Sequence, residues 1–174
     1  DIWLDTALGN GIYISSPSVS LDLEQSAIAK EILTKLQTMS EIESIDTFRR
    51  TKVNSPNGQV NIVAINTDYE TFNRPERFKY GAPKMVWDSF QKGSTVLISE
   101  PFAYRNDLNV GSNLLLNTNN GNRSFSVGAI YYDYSSSDGI VMINSNTYKE
   151  LWQDEKISSA RIHVSEDYDI DDVI

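Results

Sequence analysis

The chain has 174 residues, no cysteine and a net charge of −9, with 40% hydrophobic and 22% charged residues. That length buries a core as one domain or two small subdomains, and the acidity argues against nucleic acid and anionic lipid headgroups as partners. Without cysteine there are no disulfides or thiolate metal sites, which suits an extracytoplasmic bacterial setting. No apolar run approaches the ~20 residues that cross a bilayer, and no signal peptide opens the chain.

Asp1 to Asn10 read as a polar lead-in, and Ile12-Tyr13-Ile14 as a short strand ending at Ser15-Ser16-Pro17. Asp22, with Gln25 three residues on, has the spacing of a capping box. Ile28, Ile32, Leu33, Leu36 and Met39 then form the apolar stripe of an amphipathic helix, with Lys30, Glu31, Thr34, Lys35 and Gln37 toward water. Ile45 to Val53 and Val60 to Asn66 read as strands around the turn Ser55-Pro56-Asn57-Gly58. At Asp68 the composition shifts to aromatics mixed with breakers (Tyr69, Phe72, Arg74, Pro75, Phe78, Tyr80, Pro83), which marks a subdomain boundary. Met85, Val86, Trp87 and Phe90 suggest a short helix stopped by Gly93.

Thr95 to Ile98 is a β-rich apolar run, and Ser99-Glu100-Pro101 has the chemistry of a helix start, with serine at the cap and proline in the first turn. Leu108 to Gly111 turns the chain, Gly111 being free to take positive φ. Leu114 to Asn117 and Ser124 to Tyr132 flank Asn119-Asn120-Gly121-Asn122, a hairpin signal. Ile140 to Ile143 read as a buried strand and Asn144 to Asn146 as a cap. Tyr148, Leu151 and Trp152 form one side of a short helix. In Ser159 to Val164, Ala160, Ile162 and Val164 alternate with Arg161 and His163, as in a half-buried strand.

Chemistry-bearing constellations are scarce. His163 is the only histidine and falls opposite the apolar face, as expected of an exposed residue, so triads and His-rich metal sites lack partners. There is no G-x-S-x-G elbow and no G-x-x-x-x-G-K-[ST] phosphate loop. Asp167, Asp169 and Asp171 imitate the start of a calcium loop, but Asp172 stands where that loop needs glycine, and a solvated acidic helix start explains them better. Glu100, Asp133 and Asp138 have no spacing that joins them as an acid–base pair, and Glu100 suits the first turn of a helix. No catalytic, cofactor or metal residues are assigned, and the chain reads as a non-enzyme. The run Tyr131-Tyr132-Asp133-Tyr134 cannot be buried whole on one strand, so these four residues are the candidate partner contacts. The serine-rich loop Ser135 to Gly139 beside them reads as mobile.

The order of these pieces carries a resemblance. Val96-Leu97-Ile98-Ser99-Glu100 with Ala103, then Leu108, Val110, Gly111, Leu114 and Leu116, then Gly121, then Phe125, Val127, Ile130, Asp133 and Tyr134, and finally Gly139, Val141, Met142 and Ile143 resemble the MacB-like periplasmic core domain. That domain is the extracytoplasmic part of FtsX, LolC and MacB-type ABC-transporter permeases. The pattern departs at Gly128-Ala129, where the family more often has a bulkier residue followed by glycine.

The resemblance implies an α+β fold in which a discontinuous α/β porter-like subdomain, 1–68 plus 139–174, carries an inserted β-rich subdomain, 69–138. It implies a membrane-anchored bacterial permease with this domain on the periplasmic or extracellular side and membrane helices before Asp1 and after Ile174. The expected partners are a separate cytoplasmic ATPase, a second permease copy, and an adaptor or substrate protein outside the membrane; no cofactor is expected. In that reading the domain couples ATP hydrolysis to movement against its partner. The alternative is an extracytoplasmic ligand-binding or sensor module using the exposed tyrosines.

Overall fold

The structure, a computed structural model, describes residues 11–15, 28, 30–73, 77–81 and 83–165. They belong to two units, one built from 1–48 and 156–174 and the other from 49–155. The lead-in at Asp1 to Asn10, the Asp22–Gln25 capping box, Arg74, Pro75 and the acidic run Asp167 to Asp172 lie outside the described residues.

In the first unit, strand β1 (Gly11–Ser15) pairs antiparallel with β9 (Ser159–Val164), and β9 pairs antiparallel with the first half of β2 (Ile42–Ser55). Ala160, Ile162 and Val164 are buried while Arg161 and His163 lie on the opposite face, as the alternation requires. Helix α1 spans Lys30–Gln37 and buries only Leu33. The five-residue apolar stripe is therefore narrower than expected, because Ile32, 50% exposed, leaves it for solvent.

The second unit begins with the rest of β2 and its hairpin partner β3 (Gly58–Asn66). In the turn between them the Ser55 hydroxyl accepts from the Asn57 amide (3.2 Å) and donates to the Gly58 carbonyl (2.9 Å). Four short helices follow in chain order: α2 (Tyr69–Phe72), α3 (Pro83–Gln91), α4 (Glu100–Asn106) and α5 (Ser145–Trp152). The remaining strands are β4 (Phe78–Tyr80), β5 (Thr95–Ser99), β6 (Asn113–Thr118), β7 (Gly121–Tyr131) and β8 (Val141–Asn144). They form a mixed sheet in the order β3-β8-β5-β7-β4, with β6 also on β7. β3–β8 and β5–β7 are parallel pairs, and β5–β8, β4–β7 and β6–β7 are antiparallel. The fold is α+β, as expected.

β5 is buried along its whole length, having a neighbour on each side and helices to cover it. Its Val96 and Ile98 join Val60, Ile62, Phe102, Leu116, Phe125, Val141 and Ile143 in one core. The register between β5 and β7 jumps from Val96↔Val127 to Leu97↔Ala129, leaving Gly128 as a bulge residue. A side chain there would strike Thr95 and reach Val86 Cγ1 at 3.0 Å, so the departure at Gly128-Ala129 has a packing cause. The 119–120 turn closes the β6–β7 hairpin through the Thr118↔Gly121 pair. Asn144 caps α5, accepting from the amides of Asn146 (2.9 Å) and Thr147 (3.4 Å).

Candidate recognition surface

The candidate residues Tyr131 to Tyr134 leave the end of β7, and the structure divides them. Tyr131 is buried, whereas Tyr132 and Tyr134 are exposed. Asp133 accepts at Oδ1 from the Ser135 amide (2.9 Å) and hydroxyl (2.6 Å), which makes it a turn former. Burial holds the Tyr131 phenol above its usual range, and its hydroxyl has no hydrogen-bond partner among the described residues. We expect Tyr131→Phe to leave the urea midpoint unchanged or raise stability by about 1 kcal/mol, since it removes a polar atom that folding desolvates without compensation. A loss of about 1 kcal/mol or more would show that the hydroxyl is satisfied.

Tyr134 reaches back to α4, where its phenol donates to Glu100; Lys79 of β4 donates to the other carboxylate oxygen. The two donors hold the Glu100 carboxyl below its usual range, Lys79 first and Tyr134 second. Hydrogen bonding to Glu100 raises both Lys79 and Tyr134 in return. Glu100 does stand in the first turn of a helix, but these contacts, and not the dipole alone, define its setting.

Ser99 occupies the N-cap of α4, yet its side chain makes no cap hydrogen bond. Instead its hydroxyl accepts from the Ile140 amide (2.8 Å), and its own amide donates to the Ile140 carbonyl (2.9 Å). The serine-rich loop is tied down as well. Asn61 Nδ2 donates to Ser136 Oγ and to the Gly139 carbonyl, each at 3.1 Å, and Arg105 of α4 pairs with Asp138. The three carboxylates weighed as an acid–base set thus have separate tasks: Glu100 serves Lys79 and Tyr134, Asp133 a turn, and Asp138 an arginine.

Between β4 and α4 lies a cleft of about 260 Å³, floored by Ala103, Leu108 and Ile130 and edged by Lys79, Tyr80, Tyr104 and Asp107. Tyr104 and Asp107 do not stand out as site residues in the sequence. Their spacing of three, which puts two residues on one side of a helix, is the signal that could have found them.

Two further charged clusters are structural. Arg49, 5% exposed, and Tyr148 both donate to Asp154 Oδ2 at 2.8 Å, and burial with this hydrogen bond pushes the Tyr148 phenol up to about 12. In the first unit Asp46 Oδ2 receives Arg161 (Nη2 at 2.6 Å, Nε at 3.1 Å) and contacts His163 Nε2 at 2.9 Å. His163 is therefore half-buried against a carboxylate, which corrects the expectation of a freely exposed residue.

This fold is that of the extracytoplasmic domains of MacB-type transporters. The chain superimposes on the periplasmic region of MacB from Actinobacillus actinomycetemcomitans with a TM-score of 0.65 and 15% identity, covering 95% of this chain and 79% of that one. It superimposes on the extracellular domain of the noncanonic ABC-type transporter YknZ from Gram-positive bacteria with a TM-score of 0.62 and 14% identity, covering 91% and 86%. In sequence it is similar to an uncharacterized ABC transporter permease of Mycobacterium tuberculosis, 24% identical over 160 residues. That similarity takes in 90% of this chain and 19% of the longer protein. No family model matches the chain. The chain is thus similar in sequence to an ABC-transporter permease and in fold to the domains such transporters hold outside the cytoplasm, as the strand-and-turn pattern led us to expect.

Proposed function

We propose that the chain is the non-enzymatic extracytoplasmic domain of an ABC-transporter permease. In this reading the ATPase is a separate cytoplasmic subunit or domain, and the permease works as a pair of copies. Closure of the ATPase, passed through membrane helices, moves this domain against an adaptor or substrate protein. The observation that carries the reading is the agreement of two similarities over nearly the whole chain, one to a permease sequence and one to the MacB periplasmic fold.

We also propose the division into a porter-like part, 1–68 with 139–174, and a β-rich insertion, 69–138. The parallel pairing of β3 with β8 supports the joining of the two outer segments, and the insertion is continuous with them, since β5 pairs with β8 and all three strands lie in the unit 49–155.

The absence of cysteine supplies a clean test. Ser137 is exposed, so Ser137→Cys in the full-length protein gives the domain one reactive thiol. In intact cells a membrane-impermeant maleimide should label it fully. In sealed right-side-out vesicles its labelling rate should change at least twofold when the ATPase is trapped with nucleotide. Labelling only after lysis would overturn the location, and a rate indifferent to nucleotide would overturn the coupling.

A further inference from the structure

We propose that the cleft between β4 and α4 is a recognition site for an organic cation, the guanidinium or ammonium group of an arginine or lysine on a peptide. The proposal stands on the cleft alone and does not depend on the permease reading. Three observations select this chemistry.

The first is the charge left over. Lys79 spends its charge on Glu100, and Arg105 spends its own on Asp138. The Asp107 side chain makes no hydrogen bond or ion pair among the described residues, its backbone amide alone donating to the Ala103 carbonyl, so one carboxylate in the cleft is uncompensated. It sits where α4 ends, and the carbonyls of a final helical turn add partial negative charge at the same place. An anion would meet this field unfavourably, and a neutral ligand would leave the carboxylate unused.

The second is the pair of rings. Tyr104 is 89% exposed and Tyr80 56% exposed, and both line the same cleft, one from α4 and the other from β4. Aromatic faces attract cations, and Tyr80 already does so within the chain, with Lys79 Nζ 5.4 Å from its centroid. Tyr104 has no such occupant among the described residues.

The third is how Asp107 is held. It is one of only two described non-glycine residues with positive φ (φ 52°, ψ 46°), at a helix end where glycine is the easy choice. The turn is secured by Leu108, whose amide donates to the Ala103 carbonyl at 3.0 Å. Carboxylate, one ring and two of the apolar residues, Ala103 and Leu108, are therefore presented by one short segment, with Ile130 of β7 completing the lining, which suits a flat group with hydrogen-bond donors along its edge.

The test is a ¹H–¹⁵N NMR titration of the 174-residue chain with an acetylated, amidated tetra-arginine peptide and with its tetra-citrulline counterpart, which keeps the shape and removes the charge. The expected result is saturable shifts confined to residues 79–80, 103–109 and 130 with arginine and none with citrulline. Asp107→Asn, chosen because asparagine tolerates this left-handed backbone, and Tyr104→Ala should each weaken binding about tenfold with unchanged melting curves. Shifts spread over the acidic surface, or an affinity indifferent to Asp107→Asn, would reduce the effect to net charge and overturn the proposal. So would saturation of the same amides by neutral chitotetraose without a response to arginine, which would make the cleft a sugar site.

Discussion

Replacing Gly139 with alanine will destabilise the chain by about 3 kcal/mol or more, adding a steric overlap (typically ~1–3 kcal/mol) to a strained backbone (~1–3 kcal/mol). Gly139 has φ +76°, and a Cβ on it would fall onto the backbone nitrogen, Cα and Cβ of Phe102. Phe102 is a core residue in the first turn of α4, and the neighbouring Ser99–Ile140 bonds fix how closely the two segments approach. The segment has little room to retreat, because the Gly139 carbonyl is held by Asn61. Thermal denaturation should show a fall of roughly 10 °C, at ~2–4 °C per kcal/mol for a chain of this size. Gly111→Ala is the control: φ is +88° there but nothing lies within 4 Å of the added atom. It should cost only the backbone term, ~1 kcal/mol. Equal losses in the two variants would mean that the crowding at Gly139 is relieved by adjustment and that the seat under α4 is soft.

Asp46→Ala should cost about 3–5 kcal/mol in guanidinium unfolding, the penalty of removing one member of a buried charged pair. Asp46 is 1% exposed, and a single oxygen takes both Arg161 donors and contacts the His163 ring. β2 and β9 set this geometry, pairing Asp46 with Arg161 and Ser44 with His163 across the ladder, so the three side chains share one face. The double variant Asp46→Ala/Arg161→Met distinguishes the cause. If the loss comes from leaving the arginine's charge without this carboxylate, the double variant recovers most of the stability. If it is as unstable as Asp46→Ala, the loss lies in packing around residue 46 instead.

Features that depend on a few adjacent residues are legible in the sequence. The Pro56-Asn57-Gly58 and Asn119-Asn120-Gly121 turns, the stop at Gly93, the Asn144 cap and the alternation along β9 follow from rules that act over one to four residues. The order of those pieces over about fifty residues also carries the resemblance, and with it the α+β fold. The side-chain partnerships are not legible there. Ser99 has the right identity and position for a cap, but the Ile140 amide, 41 residues away, claims its hydroxyl. Ile32 lies within the apolar stripe of α1, yet half of it stays in solvent. Tyr134 finds Glu100 across 34 residues, Lys79 finds it across 21, and His163 finds Asp46 across 117. Sequence periodicity states which face of an element a residue occupies; it does not state which charge stands opposite. That is set by strand order and register, and the cleft with the Asp107 carboxylate exists only because β4, α4 and β7 are brought together by a sheet whose neighbours are distant in the chain.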